Sequence, residues 1–196
     1  MSPRSVCRSL AGVGACLALG YFAFVRGNRV PLLGGVDLGF HELGHLLTYV
    51  FPDVITASMG SITQIAVPLG LAIYFVWARE DRVAGGVCLA WASTSAQDAS
   101  IYIADAPYQV LQLIGGEHDW AFVLGPEHLN ILDRADTVAA VVKGSGFMML
   151  LAGITICAAS PFLEKRKRMA AERAALAETP PSVGWAVIPP WEEGDR

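Results

Sequence analysis

His41-Glu42-Leu43-Gly44-His45 reads H-E-x-x-H. On a helix, two histidines four positions apart project from one face, about one turn from each other. That spacing presents two nitrogens to one Zn²⁺, and Glu42 beside them is placed to act as a general base toward water. His41 and His45 are therefore the expected metal ligands, and Glu42 the expected catalytic residue. A catalytic zinc takes three protein ligands and keeps one open position. The glutamate of such a pentad works as a base, so the third ligand has to come from elsewhere in the chain.

The pentad lies within the apolar run Val36–Phe51 of a 196-residue chain that is 54% hydrophobic and 16% charged, with mean hydropathy +0.45. Soluble domains carry about 45–50% apolar and about 25% charged residues, so this balance predicts an all-α, polytopic membrane protein. Ionisable residues at membrane depth are costly and functional by default. The bland alternative is a pair of packing histidines bonded to neighbouring helices. No basic patch interleaved with aromatics suggests nucleic acid. Cys7, Cys16, Cys88 and Cys157 lack C-x-x-C spacing and read as small buried hydrophobes rather than a disulfide framework.

Five spans are expected to position the site. The first covers Val6–Val25, a retained helix rather than a cleaved signal peptide, since no small-x-small site follows it. The second, Leu32–Phe51, carries the pentad near its middle; Gly34, Gly35, Gly39 and Gly44 offer a small-residue packing surface. The third, Met59–Ala78, contains Gln64 and, one turn on, Pro68, where a kink or opening is expected. The fourth, Val83 to about Ala104, turns polar in its second half with Ser93, Thr94, Ser95, Gln97, Asp98 and Ser100, residues suited to a water path. Pro107 to about Arg134 reads as an extramembrane loop with a short helix near Tyr108–Ile114. The last span covers Val138–Ala159. A membrane domain over 1–163 is followed by a basic, Pro-rich cytoplasmic tail over 164–196, disordered from Thr179. With Lys165–Arg168 inside, counting back through five spans puts the N-terminus outside, which leaves Arg4 and Arg8 against the positive-inside rule.

The context Gly39-Phe40-His41-Glu42-Leu43-Gly44-His45-Leu46-Leu47 resembles the site-2-protease group of intramembrane zinc metalloproteases, the M50 peptidases, most of all their short bacterial M50B-like members. Gly60 and Pro68-Leu69-Gly70 are similar to that group's small-residue, proline-containing segment. The resemblance implies an aspartate ligand on a later helix, a membrane protein or peptide as substrate, and a place in a bacterial plasma membrane. The N-P-D-G or L-D-G sequence that surrounds the group's third ligand is absent from this chain.

Depth favours Asp98 as that third ligand. At 1.5 Å rise per residue, His45 and Asp98 fall at similar heights in parallel spans. Asp98 could instead pair with Lys143, as could Asp105, two turns further out. His118 competes, with Asp119 orienting its imidazole. His128 reads as a loop residue, and Asp37 as a partner of an imidazole or a helix cap. Gln64 could hold a substrate backbone or make an ordinary interhelical bond. The expected reaction is peptide hydrolysis in or beside the bilayer; the alternative is a metal-binding scaffold or transporter in which Glu42 is itself a ligand.

Overall fold

The computed structural model describes residues 3–27, 29–113 and 116–178. All regular structure among them is helical: α1 (Pro3–Gly20), α2 (Leu33–Thr48), α3 (Asp53–Trp77), α4 (Arg82–Asp105), α5 (Asp119–Leu124) and α6 (Ala135–Glu178). A π turn, Tyr21–Val25, extends α1, and a 3₁₀ turn, Leu132–Arg134, leads into α6. Local chemistry sets several boundaries. Pro52 precedes α3 and Asp53 occupies its first turn, where a carboxylate complements the helix dipole. The Asp81 side chain accepts from Ala84 N–H at 3.0 Å and caps α4. Leu32, with φ 67°, turns the chain into α2. The α4–α5 connection has no helix near Tyr108–Leu113; its helix is α5, further along.

Among the described residues, three stretches are long and apolar enough to cross a membrane: Pro3–Val25, Asp53–Trp77 and Leu132–Ala177. The second and fourth expected spans differ from this pattern. Helix α2 has 16 residues. At 1.5 Å each that is roughly 24 Å, short of a ~30 Å hydrocarbon core. Helix α4 has 24 residues, which is sufficient length, but its polar half lowers its hydropathy. Those polar side chains are buried, Ser93, Thr94, Ser95, Gln97 and Ser100 included. Apolar α1 and α3 instead expose large side chains such as Leu10, Leu17, Ile62 and Ile73, a surface suited to lipid.

Small residues let the helices approach α4. A Cβ on Gly86 would lie 2.7 Å from Gly153 O, and one on Gly153 2.6 Å from Gly86 O, so α4 and α6 cross nearly backbone to backbone. Free, buried Cys16 and Cys157 fill the same region with Val83, Ala90 and Leu150. Cys7 is exposed and Cys88 half-buried. A second apolar cluster of Ile103, Ala106, Val123, Leu124, Ala135 and Ala139 closes the other end of α4. On α2 only Gly44 meets a neighbouring backbone, 2.3 Å from Met59 O for an added Cβ, whereas Gly35 and Gly39 face open space. Buried Pro68 leaves α3 uninterrupted.

The expected position of the N-terminus is corrected. Arg8 is ion-paired with Asp81, at the start of α4, and Ser9 Oγ donates to Cys157 O at 2.7 Å. The beginning of α1 thus lies at the end of the bundle that carries the α3–α4 turn, not the opposite one. The discrepancy comes from counting α2 as a full crossing. Residues 162–178, the end of α6, form a charged helical stretch with mainly exposed side chains. The tail from Thr179 lies outside the described residues.

Candidate metal centre

Helix α2 delivers His41 and His45 on one face, their rings 4.8 Å apart and inclined by 76°. Each is held through Nδ1. The His45 Nδ1–H donates to Thr56 O at 2.8 Å. His41 Nδ1 lies 3.0 Å from Gln64 Oε1, and the Gln64 amide nitrogen donates to Ser95 O at 3.1 Å. The second bond fixes which end of the Gln64 amide faces His41. Both partners of the Nδ1 atoms are acceptors, so both Nδ1 atoms carry protons. In the neutral rings, Nε2 is then a lone pair.

The two Nε2 atoms converge on one carboxylate oxygen, Asp119 Oδ2, at 3.1 Å from His41 and 3.4 Å from His45. The three ligand atoms lie within 4.8 Å of one another. Three acceptors meeting in a part-buried place call for a cation among them. With zinc–ligand distances of about 2.0–2.1 Å, the edges of a coordination tetrahedron measure about 3.3 Å, and the two observed separations bracket that value. Gly60 makes the room. A Cβ there would lie 2.5 Å from His41 Nε2 and 2.6 Å from His45 Nε2. The donor set and the vacant Cβ position fit a metal ion of the zinc class.

Asp119 is the first residue of α5, and its carboxylate is also met by α4. Tyr102 Oη donates to Asp119 Oδ2 at 3.1 Å, and Asp119 N–H donates back to Tyr102 Oη at 3.0 Å.

The sequence-predicted third ligand is corrected. Asp98 stands away from the three converging atoms, with Oδ1 2.7 Å from Arg29 Nε. Arg29, not Lys143, is its partner. His118 does not join the histidines either. It is buried, its Nδ1 accepts from Ala121 N–H at 3.3 Å to cap α5, its ring stacks on Tyr102 at 4.2 Å, and its Nε2 lies 3.4 Å from Asp105 Oδ2. Burial keeps the His118 imidazole below its ordinary pKa, against the opposing effect of the Asp105 and Asp119 carboxylates. Asp105 also accepts from Val110 and Leu111 N–H. Asp37 bonds neither imidazole; its Oδ1 accepts from Trp91 Nε1 at 2.8 Å and Ser95 Oγ at 3.0 Å. His128 packs on Phe122 in a loop.

Glu42, exposed on α2, lines a cavity of about 730 Å³ with His41, His45, Tyr102 and Asp119, a volume within the usual range of ligand sites. Leu38, Ile101, Val110 and Leu111 give it apolar walls. Thr94 and Gln97 line a separate small cavity beside it, and Arg29, Asp98 and Ile101 border both. His45 is level with Thr56, the fourth residue of α3, and His41 with Gln64, the twelfth. The centre therefore lies between the start of α3 and its middle, away from the α3–α4 turn. Sequence reasoning missed Asp119 as a ligand, Tyr102 and Thr56. No family model, curated protein or solved structure matches the chain.

Proposed function

We propose that this chain is a membrane-embedded zinc metallopeptidase that hydrolyses peptide bonds of segments in or beside the bilayer. The observation that carries the reading is the meeting of two Nε2 lone pairs and Asp119 Oδ2 around a space kept open by Gly60, with Glu42 on the wall of the adjoining cavity. His41, His45 and Asp119 would hold the ion, which supplies Lewis acidity toward a carbonyl oxygen and lowers the pKa of water. Glu42 accepts a proton from the attacking water and delivers it to the leaving nitrogen as the C–O bond forms and the C–N bond breaks. Gln64 and Thr56 keep the imidazoles in the tautomer that leaves Nε2 free. The apolar cavity walls suit a substrate stretch rich in apolar side chains.

Arg4, Arg8, Arg79 and Arg82 belong to the same end of the bundle, which the positive-inside rule makes cytoplasmic. The centre then opens toward the outer half of the membrane, and the α4–α5 loop is external.

Glu42→Gln separates this reading from that of a metal-binding scaffold or transporter. The variant is expected to keep stoichiometric zinc and lose at least about a hundredfold in cleavage of a reporter peptide segment in proteoliposomes, the lower scale of general-base loss. A variant that still cleaves at the wild-type rate sinks the peptidase assignment.

A further inference from the structure

Asp119 differs from the other two donors in how it is supported. His41 and His45 stand on one helix, each braced through its second nitrogen. Asp119 sits at the start of a six-residue helix that follows the irregular connection after α4. Its position depends on what grips that short helix. Tyr102, on the buried-core helix α4, makes two hydrogen bonds to this one residue: its hydroxyl receives the Asp119 backbone N–H at 3.0 Å and donates to Oδ2 at 3.1 Å. A hydroxyl that both accepts and donates fixes the main chain and the carboxylate of the same residue together. The Tyr102 ring is itself set in place, stacked on His118 at 4.2 Å and 24° and edge-on to His41 at 5.8 Å. His118 in turn caps α5 and stands next to Asp105.

We infer that Tyr102 is a positioning residue of the metal centre, which makes a loop-borne carboxylate a fixed single-oxygen ligand. Oδ2 has one lone pair for the ion and another for the Tyr102 hydroxyl, so the oxygen that faces His41 and His45 is the one Tyr102 selects. The inference rests on the metal-centre reading above. Residues that hydrogen-bond to ligands typically change metal affinity by about 10–100-fold when removed.

The test is zinc affinity of the detergent-solubilised full chain, measured by competition with a chromophoric chelator, together with the visible absorption of the Co²⁺-loaded protein. Tyr102→Phe keeps the ring and its stacking and removes both hydrogen bonds. It is expected to weaken zinc binding about 10–100-fold, to alter the Co²⁺ bands, and to leave the thermal midpoint of the metal-free protein within a few degrees of wild type. In an Asp119→Ala background the same substitution should cause no further loss, because Tyr102 acts through Asp119. Unchanged zinc affinity and Co²⁺ bands in Tyr102→Phe, or an equal further loss without Asp119, would overturn the inference alone. A wild-type chain that binds no zinc would overturn the metal centre and this inference with it. Should Tyr102→Phe fail to fold, Tyr102→Leu takes its place: it removes both hydrogen bonds with an apolar side chain, and an unchanged zinc affinity there would overturn the inference equally.

Discussion

At the residue scale, the centre depends on which groups are acceptors. Thr56 O and Gln64 Oε1 take the Nδ1 protons of His45 and His41, which leaves two Nε2 lone pairs aimed at a carboxylate. This is a repulsive grouping unless a cation occupies it or both rings are protonated. Removal of Asp119 therefore differs in kind from removal of Asp98. Asp119→Ala is expected to weaken zinc binding by more than about a hundredfold, above the range for an outer-shell group, whereas Asp98→Asn, which disturbs only the pair with Arg29, stays within about threefold of wild type. Elemental analysis after dialysis checks both; zinc retained in Asp119→Ala and lost in Asp98→Asn would reverse the ligand assignment. Gly60 makes a sharper claim. The methyl of Gly60→Ala would stand 2.5–2.6 Å from both Nε2 atoms, so the helix should form while the metal is excluded. Circular dichroism alongside a zinc titration separates the two effects.

At the element scale, α4 shows why hydropathy alone marks only three long apolar stretches among the described residues. Its polar second half lowers its hydropathy because it faces neighbouring helices: Ser95 meets Asp37, and Ser95 O meets Gln64. The N-cap of the same helix carries a pH dependence. Burial tends to raise the Asp81 carboxyl, but the Ala84 N–H bond and the Arg8 guanidinium lower it overall. A lowered folded-state pKa means stability present above the unfolded value, near 3.9 for aspartate, and lost as pH falls through the folded value. Asp81→Asn keeps a capping oxygen and removes the charge. The wild type should therefore be the more stable at neutral pH, and the difference should shrink as pH falls below about 4 toward the lower folded-state value. Thermal melts of both proteins from pH 3 to 8 measure it, and a gap that does not narrow between pH 5 and pH 3 would show that charge is not its origin.

At the scale of the whole molecule, the bond between Arg8 and Asp81 decides topology. The N-terminus and the α3–α4 turn share one end, and a cytoplasmic placement of that end would bring Arg4 and Arg8 into line with the positive-inside rule. Single cysteines at Ser5 and Glu80 in a cysteine-free background should both label from the cytoplasmic side and both resist a membrane-impermeant maleimide applied outside. Opposite labelling would restore a five-span arrangement.

His41, Glu42 and His45 were legible because a helix face is encoded in contiguous residues: the four-residue period alone brings two imidazoles together. The all-helical class and the apolar α1, α3 and α6 were legible for the same reason, since hydropathy sums locally. The third donor was not. Asp119 lies 78 residues from His41, and nothing in its neighbourhood distinguishes it from Asp98 or Asp105. Height along a span suggested Asp98, but height leaves out the direction in which a side chain points, and Asp98 points to Arg29. Only the packed structure, in which α4 holds Tyr102 against the start of α5 and Gly60 leaves the space between the rings, decided which carboxylate meets the histidines. That meeting depends on how separate helices are rotated and where they cross, and those are set by contacts among residues far apart in the chain.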